Sequence, residues 1–75
     1  MARSVIYEIK KSKVENIKVV DRFYGQYVIS VNRYGQSLGI WVISPSRYKK
    51  FQKGGLIRLT VKDKRRAELW KRMNR

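Results

Sequence analysis

The densest hydrophobic pattern in this chain lies between residues 23 and 44, F-Y-G-Q-Y-V-I-S-V-N-R-Y-G-Q-S-L-G-I-W-V-I-S. Two runs rich in β-branched and aromatic residues, 27–31 and 38–43, flank the polar segment 32–37. That pattern predicts a β-hairpin, with Gly35 able to take the positive φ that a tight turn requires. Residues 5–9, V-I-Y-E-I, alternate over a shorter span and place Val5, Tyr7 and Ile9 on one face of a strand, before the charged break at 10–13. Between 14 and 22, Ile17 and Val19 share a face that Val14, Lys18 and Val20 do not fit. The adjacent Val19 and Val20 predict a bulge, which lets a strand bend and twist. Gly25 falls in the turn that follows. Residues 56–61 predict a further strand, with Ile57, Leu59 and Val61 inward and Arg58, Thr60 and Lys62 outward.

Helical signals are confined to two places. Ser44 is suited to an N-cap, Pro45 to the first helical position, and Tyr48 and Phe51 lie three apart, so one or two helical turns are expected before Gly54-Gly55 ends them. The tail, 63–75, opens on Asp63, a fair N-cap, and continues with good helix formers. Residues 66–70 also read as a closing strand, and propensity favours the helix. The expected fold is therefore all-β: a small five-stranded antiparallel barrel with one short helix between strands and a basic C-terminal tail. Two barrels of this kind fit the order of elements, an OB-fold and an SH3-like barrel. Residues 1–13 read as an extension carrying a short strand, 14–62 as the barrel and 63–75 as the tail.

Composition narrows what such a fold does. At 75 residues the chain is one small domain, which buries only ~60% of its unfolded surface. It has neither cysteine nor histidine, so it lacks disulfides, thiolate metal sites and the commonest general base. No apolar run approaches the ~20 residues that cross a bilayer, and the first residues offer no signal-peptide core, so a soluble cytoplasmic protein is expected. Nineteen lysines and arginines against five acids leave a net charge of +14, whose self-repulsion opposes the compact state and which a polyanion relieves. Nucleic acid is the expected partner. A membrane is not, because no segment predicts a helix with a wide apolar face. The acids, Glu8, Glu15, Asp21, Asp63 and Glu68, show no paired spacing for acid–base work or a metal cage, and no Gly-rich phosphate loop precedes a helix. A non-enzymatic protein without cofactor, metal or small-molecule substrate is the expectation.

Single-stranded nucleic acid is held by cations that track phosphates and by flat side chains on which bases stack. The chain joins the two in Arg22-Phe23-Tyr24, Arg33-Tyr34 and Arg47-Tyr48-Lys49-Lys50, with Lys18 and Arg58 on strand faces. Tyr34, in a polar loop, is the aromatic most expected to be exposed. Tyr27 alternates with Ile29 and Val31 and reads equally as a core residue or a stacking one. Trp41 alternates with Gly39 and Ile43, which favours burial, and Tyr48 and Phe51 are expected to hold the short helix down.

Three segments also resemble the S-one RNA-binding domain, an OB-fold family. Tyr24-Gly25-Gln26-Tyr27-Val28 is similar to its aromatic–Gly–small–aromatic–Val signature, residues 38–44 to its E-G-L-V-H-I-S stretch, and residues 53–61 followed by Asp63 to its G-D-x-V-x-V-K-V…D strand. The three follow the family's order, and the resemblance as a whole covers residues 14–72. Val42 stands where that family has histidine and Gly55 where it has aspartate. Length and basicity are also similar to the bacterial translation initiation factor one family. The resemblance implies single-stranded RNA as the favoured ligand, Tyr24 and Tyr27 as a base-stacking pair, and Asp63 with Arg65 or Arg66 as a polar group before a last strand that closes the barrel. The face around Tyr24, Tyr27 and Arg58 is thus expected to stack bases while Arg22, Arg33 and Arg47 hold phosphates. Two alternatives stand beside it: an SH3-like barrel that binds double-stranded DNA, and an adaptor or ribosome-associated protein that binds an acidic partner.

Overall fold

A computed structural model of the chain describes residues 4–11 and 16–74. Residues 12–13 of the expected charged turn at 10–13, the expected strand start at Val14, and Glu15 lie outside the described residues. The elements run β1 (Val5–Lys10), β2 (Asn16–Phe23), β3 (Gln26–Arg33), β4 (Gln36–Ile43), α1 (Pro45–Gln52), β5 (Leu56–Thr60) and α2 (Val61–Met73). The structure is mostly β, in two antiparallel sheets: β2, β3 and β4 form a meander, and β1 pairs with β5.

Local chemistry accounts for most boundaries. The central hairpin forms where its pattern predicts it, but its loop shrinks to two residues: Arg33 pairs with Gln36 across Tyr34-Gly35. Phe23 pairs with Gln26 across Tyr24-Gly25 in the same way. The expected bulge in β2 is present, since Val19 pairs with Ile29 and Asp21 with Val28, leaving Val20 between them. Ser44 caps α1 by accepting the Arg47 N–H at 3.3 Å, and Pro45 stands at the start of the helix. Gly55 follows where the chain passes close to α1: a Cβ there would meet the Lys50 carbonyl oxygen at 2.8 Å. An aspartate, the residue of the resembled family, would not fit at this point without displacing backbone.

Two hydrophobic clusters lie on opposite faces of the meander. Ile29 and Val31 of β3 and Trp41 and Ile43 of β4 meet Ile9 of β1, Ile57 and Leu59 of β5, and Phe51 of α1 in the main core. Val28 and Val42, on the other face, meet Ala67 of α2, with Phe23, Ile40 and Trp70 packed around them. The period-two pattern of β3 and β4 thus feeds apolar side chains to both faces, as a sheet covered on both sides requires. Trp41 is 2% exposed, donates its indole N–H to the Leu38 carbonyl at 3.0 Å, and meets the Tyr7 ring edge-on at 5.8 Å. That contact bridges the two sheets. The first strand is integral to the fold, because Ile9 is fully buried in the main core.

The expected closed barrel does not form. The two sheets share no paired strand among the described residues, and the segment after β5 is a helix rather than a closing strand. Thr60, not Asp63, is the N-cap of α2. Its hydroxyl accepts the Asp63 N–H at 3.4 Å while the Asp63 carboxylate accepts the Thr60 N–H at 3.0 Å, a reciprocal capping box. Val61, expected as the last inward strand residue, therefore begins the helix, and its N–H is accepted by Ser4 at 3.0 Å. No helix among the described residues is long and apolar enough to cross a membrane.

Candidate nucleic-acid interface

The meander positions the first group of expected binding residues. Tyr24 and Tyr34 occupy the first loop position of two consecutive hairpins, with φ of 51° and 52°, each followed by a glycine with φ of 75° or 78°. Two-residue loops of the type I′ form require positive φ at both central residues, a setting in which Asn-Gly is preferred. A tyrosine there carries roughly 1 kcal/mol or more of backbone strain. Both rings are largely solvent-exposed, 79% for Tyr24 and 68% for Tyr34, and Tyr24 rests edge-on against Phe23 at 4.6 Å. Lys18 and Arg22 are exposed along β2, which is an edge strand of its sheet.

Tyr27 does not join Tyr24 on an exposed face. It is half-buried, packs on the main core, and meets Tyr48 of α1 edge-on at 5.3 Å. The Arg22 guanidinium lies 5.6 Å from its ring centroid, within cation–π range. Arg58 is on the other sheet, paired with Glu8 at 2.9 Å. The expected stacking face of Tyr24, Tyr27 and Arg58 is therefore not assembled. The cause is the parity of β3, which places Tyr27 with Ile29 and Val31 toward the core.

The group expected around Asp63 is also differently used. Arg47 donates from both terminal nitrogens to Asp63, at 3.0 and 2.8 Å, and also to the Arg58 carbonyl. Asp63 is 1% exposed, so its carboxylate is turned to Arg47 and to the helix cap rather than to the surface. Such a bidentate fork is the strong geometry for an arginine and a carboxylate. Arg33 is half-buried and donates to the Glu8 carbonyl at 3.4 Å, and its Nε has no hydrogen-bond partner among the described residues.

Other cations remain at the surface. Lys49 and Lys50 are exposed in the last turn of α1, where positive charge suits the helix dipole. On α2, Asp63 and Ala67 are buried and Trp70 half-buried, so this face packs inward. Arg65 and Arg66 are exposed, as are Lys62, Lys64, Lys71 and Arg72, which turn the tail into a basic helix surface. Trp70 donates its indole N–H to Asp21 at 2.7 Å, and Asp21 also accepts the Arg22 N–H at 2.7 Å. These two hydrogen bonds, the first more than the second, hold the Asp21 carboxyl below its ordinary pKa. Sequence patterns offered no signal for this link, because its partners are far apart in the chain.

Electrostatically the surface is one-sided. Every described lysine and arginine except Arg33 and Arg47 is exposed. Of the four described acids, Asp63 is buried on Arg47, Glu8 pairs with Arg58 and Asp21 bonds Trp70, which leaves Glu68 exposed among many more exposed cations. Comparison with family models, curated proteins and solved structures finds no match for this chain.

Proposed function

We propose that this chain is a non-catalytic nucleic-acid-binding protein that engages single strands through phosphate contacts and exposed tyrosines. The observation that carries the reading is the imbalance at the surface: exposed cations on β2, α1 and α2, against four described carboxylates of which one is buried and two already have partners in the chain. Such a surface holds a strong positive potential that a polyanion neutralises. The absence of histidine and cysteine from the sequence supports a binding role over catalysis. A preference for RNA over DNA rests on the S-one resemblance alone.

The strand connectivity supports a second reading. Pairing of β1 with β5 beside a separate β2–β3–β4 meander supports an SH3-like strand order over the OB-fold, which requires a closing strand where α2 stands, with the eight-residue α1 in place of a single turn before β5. That arrangement, without a continuous stacking face, fits duplex binding through backbone contacts.

Salt dependence tests the shared premise. If about six phosphates of a single strand are neutralised, log K falls with log[salt] at a slope of roughly −4. Fluorescence anisotropy with labelled single strands, and with a duplex as competitor, measures both slope and strand preference. Affinity unchanged over a fourfold rise in salt rules out a phosphate-dominated interface.

A further inference from the structure

The two hairpin tips of the meander are built alike. Each is a Tyr-Gly-Gln turn with arginine one or two residues before the tyrosine: Arg22-Phe23-Tyr24-Gly25-Gln26 and Arg33-Tyr34-Gly35-Gln36. Each holds its tyrosine at a positive φ that asparagine or glycine adopts more easily, and each leaves the ring in solvent. Folding alone does not account for this choice. A ring at the tip of a turn buries little, and the backbone conformation is one that tyrosine disfavours. Strain combined with exposure, met twice at equivalent positions, marks side chains retained for contact with a ligand.

Consecutive turns of a meander lie at opposite ends of its middle strand, and β3 has eight residues. At ~3.3 Å per residue the tips stand roughly 25–30 Å apart, close to the longest dimension of the molecule, 33 Å. They are too distant to stack neighbouring bases. The edge strand β2 runs between them and exposes Lys18 and Arg22. Resting on the nucleic-acid reading above, we infer that Tyr24 and Tyr34 are two separate base-stacking posts that grip one single strand at two points, with its phosphates passing the β2 edge between them. A stacked strand rises ~3.4 Å per nucleotide, so about eight nucleotides join the posts, and about half as many if the strand is pulled out. This falls within the ~4–16 nucleotides that small single-strand-binding folds occupy.

The test measures anisotropy of labelled oligo-dT and oligo-U of 3, 6 and 12 nucleotides, and a 12-base-pair duplex, against the wild type, Tyr24→Asn, Tyr34→Asn, the double variant and the two Tyr→Phe variants. Thermal melting accompanies each. Asparagine suits the turn better than tyrosine, so the Asn variants are expected to melt at or above the wild-type temperature. Each should bind the 12-mer about tenfold more weakly, and the double variant about a hundredfold more weakly. Phenylalanine keeps the ring and should keep wild-type affinity. Affinity should rise sharply between 3 and 12 nucleotides in the wild type, and the double variant should keep only the shallower, salt-sensitive part of that rise. Wild-type affinity in the Asn variants, with nucleic acid still bound, overturns the two posts and leaves the nucleic-acid reading standing. Loss at one tip only overturns the paired grip. Equal losses on the duplex overturn stacking on unpaired bases. A wild type that binds none of these ligands overturns both readings.

Discussion

Arg47 and Asp63, sixteen residues apart, form a two-point ion pair with N–O distances of 3.0 and 2.8 Å. The contact ties α1 to the first turn of α2, and the same carboxylate completes the cap on Thr60. Removing the guanidinium leaves a buried charge with only the helix cap as partner, which is strongly destabilising. Arg47→Met is therefore expected to cost about 3 kcal/mol in urea unfolding, toward the lower end of the usual range because the Arg47 side chain is 33% exposed. Asp63→Asn, which keeps an oxygen for the Thr60 N–H, should cost less. An unchanged urea midpoint in Arg47→Met would show that the pair contributes nothing to stability.

Trp41 joins the two sheets through Tyr7 and the main core. Truncation to alanine is expected to cost ~3–5 kcal/mol, which approaches the whole stability of about 4–11 kcal/mol available to a chain this short. Far-UV circular dichroism should find Trp41→Ala melting far below the wild-type temperature. Trp41→Phe keeps most of the packing and loses the hydrogen bond to Leu38, at about 1 kcal/mol. A well-folded Trp41→Ala that had lost only nucleic-acid affinity would contradict the burial of this indole.

Asp21 anchors α2 through Trp70, and its carboxyl is held below the ordinary pKa by that indole and then by the Arg22 N–H. A carboxyl depressed by folding stabilises the native state above its unfolded pKa of about 4 and loses that contribution as pH falls through the lower folded value. Melting temperatures of the wild type and Asp21→Asn should accordingly differ most at neutral pH and converge in acid, once the pH has fallen below the lowered folded value. The effect should be small, because Asp21 lies in solvent and salt screens it. A difference that is constant from pH 7 to pH 2 would mean that the charge on Asp21 plays no part in holding the helix.

Much of this protein was legible residue by residue. The hairpin at Gly35, the bulge at Val19-Val20, the Ser44-Pro45 helix start and the inward Ile57 and Leu59 all follow from steric limits and hydrogen bonds that act within a few positions. Burial of Trp41 and exposure of Tyr34 follow as well, because strand parity and a polar loop are local properties. The remainder depended on partners that meet only through packing. Asp63 reads as a helix cap or a ligand contact until α1 brings Arg47 beside it. Tyr27 fits either face of a strand until the main core claims the face it shares with Ile29. Whether residues 61–73 close a barrel or coil into a helix turned on Val28, Val42 and Asp21, which offer Ala67 and Trp70 an apolar seat and a hydrogen-bond acceptor. The local pattern thus determined the elements and their turns. The long-range contacts, whose free energy exists only once both partners are in place, decided which polar residues became structure and which were left facing solvent.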